Sequence, residues 1–406
     1  MASTDRVLVL DASYDDLAAA VGRVFDELGP SLDGRSVLVK PNMILAWPPE
    51  WGATTHPSLV RACVQEITAR GGKPLVGDTP GASYLTRTRS VAAKTGILEA
   101  AGGSYVDIDQ KVEDRRLDAV DETVPFSRAA LDADLVVSLP KMKTHSLTTL
   151  TGAVKNSYGL VVGAAKSRLH RLAADPASFA RIVVDVYRQR PADLVIMDAV
   201  VAMQGNGPTT RDLCRPGKLI ASTNAVAVDS VAARLMGLAP DQVPTNAVAA
   251  EQGLGPLDCE VDGDASPLAG FRLPLTSRLG WLTDLGSAVA ATTFFASISK
   301  PRLELRRERC VSCGACARGC PTGAIAMERE ATKKRAHGGR PLLPVVDRSL
   351  CIACFCCTEQ CPEEAWVLSA RTRALGAAGR LFSEEAAAAG DRVVSALRRL
   401  RGGGTG

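Results

Sequence analysis

Eight of the twelve cysteines stand in two copies of one spacing, Cys310-x2-Cys313-x2-Cys316-x3-Cys320-Pro321 and Cys351-x2-Cys354-x2-Cys357-x3-Cys361-Pro362. Three thiolates this close wrap one cubane cluster, and the fourth cysteine of each run reaches across to the other. The spacing predicts two [4Fe–4S] clusters, one on Cys310, Cys313, Cys316 and Cys361, the other on Cys351, Cys354, Cys357 and Cys320. A disulfide framework belongs to small secreted chains, and this one has 406 residues. Structural zinc prefers two separated Cys-x2-Cys pairs, whereas here four thiols crowd each run. A radical-SAM cube needs Cys-x3-Cys-x2-Cys, and the closing positions here are Gly323 and Glu364. Cys356, beside Cys357, reads as a non-ligand neighbour with the chemistry to substitute as a ligand. Cys63, Cys214 and Cys259 read as small packing residues.

A second set of polar groups stands at strand ends, the rim where open α/β sheets bind ligands. Strand Ser36–Lys40 runs into Pro41-Asn42-Met43, strand Lys73–Val76 into Gly77-Asp78, and strand Ala133–Leu139 into Pro140-Lys141-Met142-Lys143-Thr144-His145. Alternation along an extended segment projects Lys141, Lys143 and His145 together. Such groups repel one another unless an anion or a proton-demanding centre lies between them; the competing reading is a solvated edge with incidental lysines. Downstream, Thr151 to Gly159 reads as a loop entering a short helix, where backbone N–H groups with Lys155 and Asn156 would clamp a carboxylate or phosphate. His145 is then the expected proton donor, its ordinary pKa being near neutrality. Lys141 and Lys143 would stabilise developing negative charge, and Lys40, Asn42, Asp78, Lys155 and Asn156 would bind substrate. Gly163-Ala164-Ala165-Lys166-Ser167 lacks the Gly-Lys pair of a P-loop, and no Gly-x-Gly-x-x-Gly follows a strand. Asp198 and Asp229 suit ligand contact or helix stabilisation; His56 suits a helix start, and His170 a charged surface.

Positioning these groups requires a scaffold. Up to about residue 270, short β-branched runs alternate with Ala/Leu-rich stretches, predicting an α/β domain with a mainly parallel sheet and flanking helices. Expected strands also include Val7–Leu10, Asp193–Met197 and Lys218–Ser222; expected helices are Tyr14–Leu28, Pro57–Arg70, Ser178–Arg188 and Val226–Met236. Residues 271–301 read as a helical linker, 302–368 as an α+β two-cluster module, and 369–406 as a helical tail. The insert around Lys333, Lys334, Arg335 and Arg340 reads as a solvated loop. The net charge of +4 is uneven: from Lys300 onward 19 Lys and Arg face 11 Asp and Glu. Part of that excess offsets anionic clusters, and the rest suits an acidic electron donor. Basic stripes with interleaved aromatics are absent, so no nucleic-acid role is expected. The uncharged stretch Leu285–Ser299 is too short for a membrane span, and membrane contact is not expected. The opening residues lead straight into a strand instead of an export signal, and oxygen-sensitive clusters suit a cytoplasmic location.

Taken together, Lys40-Pro41-Asn42, Gly77-Asp78, Pro140 to His145, Gly152 to Asn156 with Gly159, and the Asp198 and Asp229 regions resemble the domain-of-unknown-function 362 family, often fused to a bacterial-type two-cluster ferredoxin module. The resemblance covers nearly residues 5–260 plus the ferredoxin; it implies the architecture and supplies no reaction. The expected function is an iron–sulfur reductase. It would pass single electrons from an external donor, such as a ferredoxin, flavodoxin or reductase, to a small anionic or conjugated substrate in the α/β domain. The alternative is a non-catalytic electron carrier or maturation factor that docks a partner protein. A third reading is a ligase or transferase with structural clusters.

Overall fold

The computed structural model describes residues 5–81, 87–173, 175–278, 300–329, 342–375 and 377. The apolar runs form strands β1 (Arg6–Asp11), β2 (Ser36–Pro41), β3 (Lys73–Val76), β4 (Val112–Leu117), β5 (Glu122–Ser127), β6 (Leu135–Leu139), β7 (Lys141–His145), β8 (Thr149–Thr151), β9 (Leu194–Met203), β10 (Leu213–Cys214), β11 (Lys218–Ser222) and β12 (Glu260–Gly263). The central sheet runs β12-β1-β11-β9-β6-β2-β3, with β7 and β10 also on β9 and β8 on β7; β4 and β5 form a separate hairpin. Pairings β2–β3, β2–β6, β6–β9, β7–β9 and β1–β12 are parallel, so the sheet is mainly parallel. Antiparallel β11 joins β1 to β9.

Successive side chains on a strand face opposite sides, and both sides are covered. On β2, Val37 and Val39 pack with Phe25, Leu59 and Ile67, whereas Leu38 packs with Phe179, Val183, Val228 and Val231. Helices Ala18–Leu28 and Pro57–Ala69 form one outer layer, and helices Pro176–Gln189 and Ala225–Leu235 the other. The second pair is capped as the sequence dictates. Asp175 accepts from Ser178 N–H, and Asn224 accepts from the N–H groups of Val226 and Ala227. The first helix begins later than its periodicity predicts, because the Tyr14 hydroxyl is drawn 2.8 Å from Asp198. Strand β9 runs six residues past its predicted end because β7, β10 and β11 pair along that extension.

The cysteine-rich module adds β13 (Leu303–Leu305), β14 (Ile325–Arg329), β15 (Leu342–Val346) and β16 (Trp366–Leu368), paired antiparallel as β13–β16 and β14–β15. Its backbone repeats as its sequence does. Positive φ recurs at equivalent places: Ser312 and Ala353, Gly314 and Phe355, Gly323 and Glu364. The left-handed region costs a residue with a Cβ about 1–2 kcal/mol. Burying the Phe355 ring, only 4% exposed, offsets this with roughly 1.5–3 kcal/mol. Thr209 donates to the Thr358 carbonyl at 3.1 Å and Arg211 pairs with Glu364, fastening the module to the α/β domain; Arg309 joins Glu364 from within the module. Most of the predicted linker (279–299), the basic insert (330–341) and most of the predicted tail lie outside the described residues. Among the described residues no helix is long and apolar enough to cross a membrane.

Leu38 is fully buried on a central strand, so Leu38→Ala should lower the unfolding free energy by about 2–5 kcal/mol. A lower urea midpoint at unchanged slope would show it.

Candidate functional site

The strand-end lysines are buried, and each finds its own acceptors. Lys40 Nζ lies 2.7 Å from Asp78 and donates to Asn156 Oδ1 and the Pro41 carbonyl. Lys141 donates to Asp198 at 2.8 Å and to the Tyr14 hydroxyl at 2.7 Å, beneath the Tyr14–His56 ring stack. Lys143 donates to Asn42 Oδ1 and the Ala53 carbonyl, with no carboxylate in contact. Burial lowers the pKa of all three, most strongly Lys143. The expected convergence of Lys141, Lys143 and His145 on one ligand is therefore corrected. Opposite Lys141 and Lys143 on β9 stand Asp198 and Met203, and this irregularity sends the side chains to separate partners. Asp198 lies within β9 rather than at its end, and holds Lys141, Tyr14 and the His56 N–H.

His145 also departs from its expected role. Its Nδ1 accepts the N–H groups of Leu147 (3.0 Å) and Thr148 (3.2 Å), which puts the ring proton on Nε2, 3.1 Å from Glu359 of the cysteine module. Burial pulls its pKa down to about 4. A neutral, fully buried imidazole facing Glu359 joins the two halves of the molecule and is not a free acid at neutral pH.

Lys155 is different. It sits on the four-residue helix Ala153–Asn156, whose first two N–H groups donate to the buried Asp229 carboxylate at 2.6 and 3.0 Å. Asp229 lies inside helix Ala225–Leu235, not at its start, so the short helix hangs from the core. A Cβ on Gly152 would overlap that carboxylate, which is why the glycine is there. Among the described residues Lys155 makes no hydrogen bond or ion pair, and its ammonium is 5.9 Å from the Tyr158 ring centre. Burial lowers its pKa, with Glu359 opposing. Asn156, by contrast, spends its amide on Lys40, Asn42 and Ser138.

Lys155 lines a cleft of about 720 Å³, open solvent included, together with Asn42, Asp78, Asn156, Tyr158 and Lys166. Cys356, Glu359 and Gln360 of the second cysteine run form its opposite wall. Lys40, Lys141, Lys143 and His145 do not line it. Two lining groups escape sequence reasoning. Lys166 donates to the Thr79 hydroxyl and to the Thr79 and Pro80 carbonyls, and burial brings its pKa down to about 7. His170, expected at a charged surface, is buried and stacked on Phe179 at 4.2 Å. The helix Ala165–Leu172 looks polar in sequence, yet turns Lys166, Leu169 and His170 inward. The His170 Nδ1 and Thr151 Oγ1 atoms are buried without a hydrogen-bond partner among the described residues.

The cysteines gather around two further cavities. One is lined by Cys310, Cys313, Cys316 and Cys361, the other by Cys320, Cys351, Cys354, Cys356 and Cys357. Thiols spread round a cavity suit a cube, in which each iron takes its own thiolate. Cys356 borders both the second cavity and the cleft.

Burial holds His170 near pKa 4, against about 6.5 for an exposed histidine. A depressed base contributes stability that is complete above about pH 6.5 and lost as pH falls through 4. His170→Phe, which keeps the stack on Phe179, should flatten the fall of the thermal midpoint over that window relative to the unaltered protein.

Comparison with known proteins finds matches to both parts of the chain. A family model described as a domain of unknown function, DUF362, matches residues 37–234, and a 4Fe-4S dicluster model matches residues 309–365. A thylakoid-associated protein of Synechocystis sp. is 34% identical over 240 residues, covering 56% of this chain and 71% of the relative. Two solved structures align more loosely, with TM-scores of 0.36 and 0.34. They are a lactate racemase apoprotein from Thermoanaerobacterium thermosaccharolyticum (12% identity) and a protein from Thermotoga maritima (11% identity). The matches span 55% and 53% of this chain, and 55% and 57% of those chains, so the chain spans about half the length of each. The chain belongs to the DUF362 family and carries a 4Fe-4S dicluster domain at its C-terminal side.

Proposed function

We propose that the protein is an iron–sulfur reductase acting on a small anionic or conjugated substrate bound in the cleft. The observation that carries this reading is the shared cleft. Lys155 and Lys166 face Cys356, Glu359 and Gln360 across it, so the cationic pocket and the second cysteine set have a common wall. Cys310, Cys313, Cys316 and Cys361 would hold one [4Fe–4S] cluster, and Cys351, Cys354, Cys357 and Cys320 the other. When bound, the clusters supply single electrons received from an external donor.

The chain's own residues would do the rest. The unpaired Lys155 ammonium would take the substrate's anionic group in a charge-assisted hydrogen bond worth about 1.5–3 kcal/mol. Thr151 and His170 offer unused polar atoms on the same wall. Lys166 replaces His145 as the proposed proton source, because it lines the cleft and titrates near neutrality. Lys143, Lys141 and Lys40 act by shaping the rim; Asn42, Asp78 and Asn156 hold its loops while contributing surface to the cleft. A substrate gaining charge here would meet protonated groups in a partly desolvated site, where their stabilisation is strongest.

Anaerobically reduced protein should be reoxidised by a member of a panel of α,β-unsaturated carboxylates. Lys155→Ala should raise the half-saturating concentration roughly ten- to hundred-fold, following the bond energy above. Failure of every anionic conjugated compound to reoxidise the protein would overturn the reductase reading and leave the carrier. The reduction rate should fall as pH rises through about 7, since the acid form of Lys166 is required. Lys166→Met should remove that limb and slow turnover about 10²-fold or more; an unchanged pH profile would exclude Lys166 as the acid.

A further inference from the structure

The two cysteine sets are not equivalent in their surroundings. The second set reaches the cleft through Cys356, while the cavity of the first is lined by residues of the cysteine module alone. Cys313 is the exposed member of the eight, and Val311 beside it is 53% exposed. Five arginines and two glutamates stand between Arg302 and Arg318. Of the later carboxylates, Glu363 lines the first cavity and Glu364 pairs with Arg309. Arg306, Arg307, Arg309 and Arg318 are all exposed. Leu350 is exposed beside the second set, so apolar exposure does not separate the two sides; the exposed arginines mark the first.

We infer that a small acidic one-electron carrier protein docks on the face around Cys313 and Val311. Electrons then enter at the Cys310–Cys361 set and leave from the Cys320–Cys351 set toward the cleft. This rests on the two-cluster reading above but not on any substrate. A basic rim around an apolar centre matches the anionic surface of such a carrier, steers its approach, and makes the encounter salt-dependent. The second set borders the cleft through Cys356, so the direction of flow runs from the outer cavity inward.

The test is calorimetric binding of an oxidised, strongly acidic flavodoxin to the full chain at low ionic strength. Wild-type binding should weaken progressively as salt is added. Arg306→Glu with Arg307→Glu should weaken it at least ten-fold, and Glu363→Arg, on the rim of the same cavity, should tighten it. Stopped-flow reduction by reduced flavodoxin should slow in the same double variant, while reduction by dithionite stays the same. No measurable wild-type binding, salt-independent binding, or an unchanged dissociation constant in the double variant would each overturn the inference. So would self-association of the chain that the same variant abolishes. Normal carrier binding with no turnover in the cleft would instead sink the reductase reading and leave this one standing.

Discussion

An ammonium taken out of water must have acceptors for its protons, and the rim of this sheet buries four: Lys40, Lys141, Lys143 and Lys166. Much of the local structure is organised around meeting that demand. Asp78 and Asp198 face two of them as ions, while Asn42, Thr79 and the carbonyls of Ala53 and Pro80 serve the others as dipoles. The segments that follow β2, β3 and β6 are thereby tied to one another. Lys155 stands apart because its helix is tied to Asp229 by the backbone, leaving the side chain uncommitted. A cation held this way is left to attract an anion, and its charge also disfavours protonation of nearby Lys143 and Lys166.

The same economy joins the two halves of the molecule. His145 ends a strand of the α/β domain and faces Glu359, which burial would raise but which His145 and Lys155 hold down to about 2. Glu364 takes Arg211 from one side and Arg309 from the other. These contacts set the distance between the cleft and the second cysteine set, so that the redox module is a wall of the pocket rather than an appended domain.

The scaffold was legible in the residues because strands buried on both faces are mostly apolar, as in Leu135–Leu139 and the middle of Lys218–Ser222. Cys361 lines the cavity of the first run and Cys320 that of the second, a crossing that the spacing of the two runs made legible. Side-chain destinations were harder. Alternation correctly put Lys141, Lys143 and His145 on one strand, but the irregular pairing with β9 depends on a strand fifty residues away, which no local pattern encodes. His170 was misjudged for a related reason: Arg168 and Arg171 make its helix look solvated, and only the placement of Phe179 and Tyr158 turns one side of it inward.

The short helix Cys356–Glu359 contributes to a cysteine cavity with one side and to the cleft with the other. Four residues have no helical stability of their own. Their shape comes from packing and, wherever thiolates bind metal, from ligation, which couples folding to loading. A newly synthesised chain still lacking iron would thus present a binding site with one side unfinished. Iron supply, and not synthesis alone, would then decide when that wall of the cleft is complete.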